Sequence, residues 1–127
     1  MDTGKLAIGI TAAAFTGFGA ALVAKPEKIL GTIGIKANQR VGRTELRAMY
    51  GGMELGFGAF FTIAAFKQEW RHPALMAILC GIGGLGATRI ATAIVHRDPP
   101  LTYAMGAPEI AAASLAAVTL LREKTRD

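Results

Sequence analysis

The chain has 127 residues, room for one domain, and 52% of them are hydrophobic, with 16 glycines. The formal net charge is +5, but the basic residues lie in connectors that flank apolar runs. They read as membrane-surface anchors and argue against nucleic acid as a partner. Cys80 is the only cysteine and falls inside an apolar run, which excludes an internal disulfide, a CxxC redox pair and a cysteine-based zinc site.

The first apolar run is Leu6 to Ala24, between Lys5 and Lys25-Pro26. Nineteen residues at ~1.5 Å rise cover about 28 Å, which matches a hydrocarbon core of roughly 30 Å. Gly19 and Ala21 would suit a signal-peptide cleavage site, yet the segment before Leu6 is weakly basic and the run is long for a signal core, so a retained span is expected. Residues 25–46 form an interfacial connector in which Ile29 to Ile35 is too short to cross, and Thr44 is placed to cap the next helix. The second span is Arg47 to Phe66, closed by Lys67-Gln68-Glu69-Trp70-Arg71-His72 with Trp70 in an interfacial belt position. The third starts at Pro73, a good first helical residue, and runs to Val95 before His96-Arg97-Asp98-Pro99-Pro100.

The fourth span admits two starts. From Pro108 it would be short, at ~21 Å; from Leu101 it reaches Leu121 with Pro108 as an internal kink, which membrane helices tolerate. The longer helix is preferred. The expected fold is therefore all-α, an integral membrane four-helix bundle. It forms one domain over 1–127, with spans near 6–24, 47–66, 73–95 and 101–121. The expected location is multi-pass in a bacterial inner membrane. Six basic residues on the side of the termini face seven on the other, so the positive-inside rule does not choose an orientation. Cytoplasmic termini are taken as the commoner arrangement.

Three ionisable residues fall inside spans: Glu54, Arg89 and Glu109. Each is costly there unless paired or wetted, by ~2.5 kcal/mol or more. Each lies ~10–12 Å from a helix end on the same membrane side, so the three share one level. Arg47, Tyr50 and Glu54 follow i, i+3, i+7 spacing on the second helix, and Arg89, Thr92 and His96 do so on the third. A guanidinium binds carboxylates bidentately, so Arg89 is expected to bridge Glu54 and Glu109, with Arg47 and His96 lining a mouth and Tyr50 between. The cluster reads as a salt-bridge lock between helices, a site for a small polar or amphipathic ligand, a proton or ion pathway, or a catalytic acid–base pair.

Gly81-Ile82-Gly83-Gly84-Leu85-Gly86 matches GxGxxG letter for letter. It sits mid-span with no strand before it, so no nucleotide site is read from it. Gly52 and Gly56 form a GxxxG pair, continued by Gly51, Gly58, Gly83 and Ala87, as in helix-packing grooves. Phe57, Phe60, Phe61 and Phe66 read as packing or lipid-facing residues. His72 and His96 are distant and make a poor metal site. No cofactor, no metal and no catalytic residue is expected.

The stretch Arg47-Ala48-Met49-Tyr50-Gly51-Gly52-Met53-Glu54-Leu55-Gly56-Phe57-Gly58 resembles the RAxYGGxELGxG core of the bacterial membrane family called domain of unknown function 4345, itself similar to the broader DoxX-like group of four-helix membrane proteins. Arg89 late in the third helix and Glu109 early in the fourth also fit, while Asp98-Pro99-Pro100 departs from the glycine that often follows this turn's acid. The resemblance implies four spans and the charge cluster but no reaction.

The leading expectation is a non-enzymatic bundle that binds a lipid-like or small polar ligand, or serves as an accessory subunit of a membrane complex. Its partners would be membrane lipids, and a second copy or another membrane protein held through the glycine-rich faces. Two further readings are a proton-coupled transporter or channel-like element built on the cluster, and an accessory to a membrane oxidoreductase near quinone. The last rests only on the redox links of some DoxX-like proteins.

Overall fold

The computed structural model describes residues 2–125, and no strand occurs among them. The fold is all-α, as expected. Five helices follow in order: α1 (Thr3–Ala24), α2 (Pro26–Leu30), α3 (Arg40–Phe66), α4 (Gln68–His96) and α5 (Pro100–Lys124). All except α2 are long and apolar enough to cross a membrane, which makes this a multi-pass membrane protein.

The long helices extend beyond the apolar runs. α3 begins at Arg40, upstream of the expected start at Arg47. Hydropathy marks the thickness of hydrocarbon, whereas backbone hydrogen bonding continues into the polar headgroup layer. Thr44, expected as a cap, therefore lies inside the helix, and its hydroxyl donates to the Arg40 carbonyl at 3.3 Å. The extended residue before the helix is Gln39, which makes no side-chain cap. Pro73 takes the third position of the α-helical stretch Arg71–Ala77, where its missing N–H is one of the first-turn donors without an intrahelical acceptor. α5 passes through Pro108 without a break.

Two helices carry a widened π turn. In α3 it covers Arg47–Gly52, and in α4 it covers Ile78–Ile82. A π turn holds an extra residue, so side chains on either side of it are rotated by roughly 100° relative to a regular α-helix. The Arg47–Tyr50–Glu54 spacing therefore does not make the single straight stripe that its i, i+3, i+7 pattern implies.

The chain divides into two compact units, residues 9–66 and residues 1–8 with 67–127. In the first, small residues let backbones meet. A Cβ on Gly51 would lie 2.7 Å from the Val23 amide, and one on Gly58 would lie 2.9 Å from that of Thr16. Gly56 has open space around it, so within this unit the close approach uses Gly51 and Gly58, not the Gly52–Gly56 pair. Phe15 packs edge-on against Phe57 and Phe61, with ring centroids 5.9 and 5.6 Å apart, and Phe60 tilts onto Phe61 at 5.3 Å. Phe66 is exposed. The connector turns at Gly34, whose φ of 82° favours glycine.

In the second unit the side chains removed from solvent include Ile8, Leu75, Ile78, Ala93, Ala113 and Ala116. Its α4–α5 hairpin turns at Arg97, a non-glycine residue at φ 56°, where the Asp98 amide donates to the Ala93 carbonyl at 3.0 Å. Asp2 caps α1: its Oδ1 accepts from the Gly4 and Lys5 amides at 3.1 and 3.2 Å, while Oδ2 pairs with Arg71. The Lys5 amide above all, then the Arg71 charge and the Gly4 amide, hold the Asp2 carboxyl below its ordinary range against the opposing pull of partial burial. A lowered folded-state value stabilises the fold above the unfolded value, near 3.9, and that contribution disappears as pH falls through the lower folded value. Asp2→Ala should therefore cost about 1 kcal/mol at neutral pH. Asp2→Asn keeps a cap, and its smaller deficit in thermal unfolding midpoint, followed by circular dichroism in detergent, should close as pH drops below about 4.

Candidate functional site

Arg89 lies on α4 seven residues before its end at His96, ~10 Å along the helix. Glu109 lies on α5, directly after Pro108, whose ring removes one backbone donor from the helix. The two side chains meet in a bidentate pair: Arg89 Nε donates to Glu109 Oε2 at 3.0 Å and Nη2 to Oε1 at 2.9 Å. Their side chains are only 24% and 17% exposed, so each removes much of the cost that the other would carry alone inside a span.

Reciprocal glycines allow this fit. Gly86 stands three residues before Arg89, and Gly106 three before Glu109. A Cβ on Gly86 would lie 2.8 Å from the Glu109 Cβ and 3.3 Å from the Ile110 amide; one on Gly106 would lie 2.6 Å from Ile90 Cδ1 and 3.4 Å from Arg89 Cδ. Each helix thus yields space at the place where the charged residue of the other leaves its backbone. Gly83 repeats the pattern a turn away, where an added Cβ would lie 3.1 Å from that of Ala113.

On the Arg89 side of the pair lies a shallow, largely open cleft of about 260 Å³, lined by Leu85, Thr88, Arg89, Thr92, Asp98 and Thr102, of which Leu85, Thr88 and Thr92 are exposed. Its hydroxyls differ from those of three residues in the apolar helices, although Thr16 on α1 likewise makes no hydrogen bond among the described residues. Those of Thr62, Ser114 and Thr119 donate to the carbonyl four residues earlier at 2.7, 2.8 and 2.8 Å, the usual way to satisfy a hydroxyl in an apolar helix. The hydroxyls of Thr88, Thr92 and Thr102 make no hydrogen bond among the described residues.

The six residues singled out from the sequence divide between the units: Arg47, Tyr50 and Glu54 in one, Arg89, His96 and Glu109 in the other. Arg89 and Glu109 pair directly. Arg47 is committed locally, its Nε donating to the Val23 carbonyl at 3.2 Å near the end of α1. Tyr50 is 40% exposed within the π turn, Glu54 is half-buried on α3, and His96 is exposed as the last residue of α4. Sequence reasoning missed Thr88, Asp98 and Thr102. Thr88 and Thr92, four apart beside Arg89, were a signal at hand.

A family model described as a domain of unknown function (DUF4345) matches residues 4–120. The chain belongs to this family. The DUF4345 match takes in the Arg47–Gly58 motif as well as Arg89 and Glu109. No curated protein and no solved structure matches the chain. None of the described residues forms a His, Cys, Asp and Glu group suited to a metal ion.

The reciprocal seating predicts a local contrast. Gly86→Ala should lower stability by about 1–3 kcal/mol through overpacking against α5. Gly84→Ala, on the same helix with nothing within 4 Å, should be neutral or gain up to about 1 kcal/mol from helix propensity. Thermal unfolding of the two variants in one detergent measures the difference.

Proposed function

We propose that this DUF4345 protein is a non-enzymatic membrane protein that holds a small polar or lipid-like ligand in the cleft beside Arg89. The observation that carries the reading is the group of three hydroxyls without hydrogen bonds, Thr88, Thr92 and Thr102, around a cleft that also contains a charged pair. A hydroxyl next to hydrocarbon is costly without a partner, on the order of 1–3 kcal/mol. A ligand bearing donors and acceptors satisfies all three at once. The guanidinium, locked in plane by Glu109, offers a fixed orientation to such a ligand, and Asp98 supplies a second charge at the end nearer the α4–α5 turn. Leu85 gives the cleft an apolar wall, which suits an amphipathic molecule.

In this reading Glu109 positions Arg89, and His96 marks the polar end of the same helix, while Arg47, Tyr50 and Glu54 serve their own unit. The protein sits in a bacterial inner membrane with cytoplasmic termini, as a ligand-binding subunit that acts alone, as a homo-oligomer or in a membrane complex.

Native mass spectrometry of gently extracted protein tests this. In 1 M salt, which strips lipid held by charge alone at the membrane surface, wild type should still carry a bound small molecule or lipid, and the Thr88→Val/Thr92→Val double variant should keep its helicity yet lose it. Wild type free of any bound molecule, or a double variant that retains it, would overturn the reading and leave the Arg89–Glu109 pair as a helix lock.

A further inference from the structure

Within residues 9–66, the end of α1, the short helix α2 and the first turns of α3 are tied together. Arg47 Nε donates to the Val23 carbonyl at 3.2 Å, and Arg43 Nε stands 3.8 Å from Glu27 Oε1. Pro26 and Leu30 are buried and hold α2 down. Around this junction six cationic side chains are exposed: Lys25, Lys28, Lys36, Arg40, Arg43 and Arg47. Only two acids, Glu27 and Glu45, accompany them. Exposed apolar side chains interrupt the cations, with Val41 71% and Ile33 39% exposed.

We infer that this basic collar binds acidic phospholipid headgroups. The excess of cations selects anions, and the setting selects a lipid. The collar closes the ends of two helices long and apolar enough to span, which places it at headgroup depth. There Val41 and Ile33 can enter the acyl boundary while the lysines and arginines meet phosphates. A polyanion in water would satisfy the cations and leave these apolar side chains exposed. The inference is independent of the cleft at Arg89, because it involves none of that site's residues.

The test compares phosphatidylglycerol with phosphatidylcholine, each added to detergent-solubilised protein, by thermal unfolding. Phosphatidylglycerol should raise the wild-type midpoint by about 3–6 °C more than phosphatidylcholine. The difference should largely vanish in 1 M salt, where the screening length falls to about 3 Å. A variant with Lys25, Lys28, Lys36 and Arg40 all changed to Gln should lose the difference, since each cation near a membrane surface contributes about fivefold in binding. That variant leaves the Arg43–Glu27 and Arg47–Val23 contacts intact. A control with Lys67, Arg122 and Lys124 changed to Gln, at the other helix ends, should keep the difference. Equal response of wild type to both lipids, persistence of the difference in 1 M salt, or equal loss in the control would overturn the inference. The salt comparison uses wild type alone and decides even if the quadruple variant does not fold.

Discussion

A guanidinium and a carboxylate placed within apolar helices are costly apart and tolerable together, and the Arg89–Glu109 pair is where this constraint falls in the chain. Two parallel hydrogen bonds require the helices carrying them to approach at a set distance and register. Gly86 and Gly106 supply that approach by removing the atoms that would collide with the opposing side chain. Gly86 is the stricter of the two, because an added Cβ there would meet the Glu109 Cβ and the Ile110 amide, whereas one at Gly106 would meet the movable end of Ile90. The pair ties together the two helices of the α4–α5 hairpin, which turns at Arg97, and Arg89 also lines the threonine-bearing cleft.

Much of this was legible in the sequence, and the limits have physical causes. The four apolar runs identify the spanning helices because a membrane demands a fixed length of apolar residues. The same criterion stops at the hydrocarbon edge, so it missed the helical turns of Arg40–Leu46 that continue among polar residues. Arg89 and Glu109 were visible as charges at one depth on neighbouring spans. The π turn at Arg47–Gly52 was not, because its cause is a backbone hydrogen-bond pattern and not a residue type. The i, i+3, i+7 stripe through Tyr50 to Glu54 therefore assumed a regularity that the helix does not keep. Of the glycines that mark packing faces on α3, Gly51 and Gly58 receive the atoms of α1, while the Gly52–Gly56 pair that gives the GxxxG spacing does not.

Hydroxyls carry the functional reading because they report a need. Thr62, Ser114 and Thr119 satisfy themselves on their own helices. Thr88, Thr92 and Thr102 turn toward a shared space instead. Under the proposed function, the guanidinium whose plane Glu109 fixes would orient a polar group there, and the apolar wall at Leu85 would meet the rest of an amphipathic molecule. The basic collar on α1–α3 concerns a different unit and a different chemistry, phosphate at the membrane surface.

The central claim is that Arg89 and Glu109 act as one unit, and a double-mutant cycle measures it most directly. Arg89→Gln and Glu109→Gln should each cost about 3 kcal/mol, because each leaves its partner's charge unpaired. The double variant should cost little more than either, giving a coupling above about 1.5 kcal/mol in detergent unfolding. Single costs that add to within about 0.5 kcal/mol in the double variant would contradict the account.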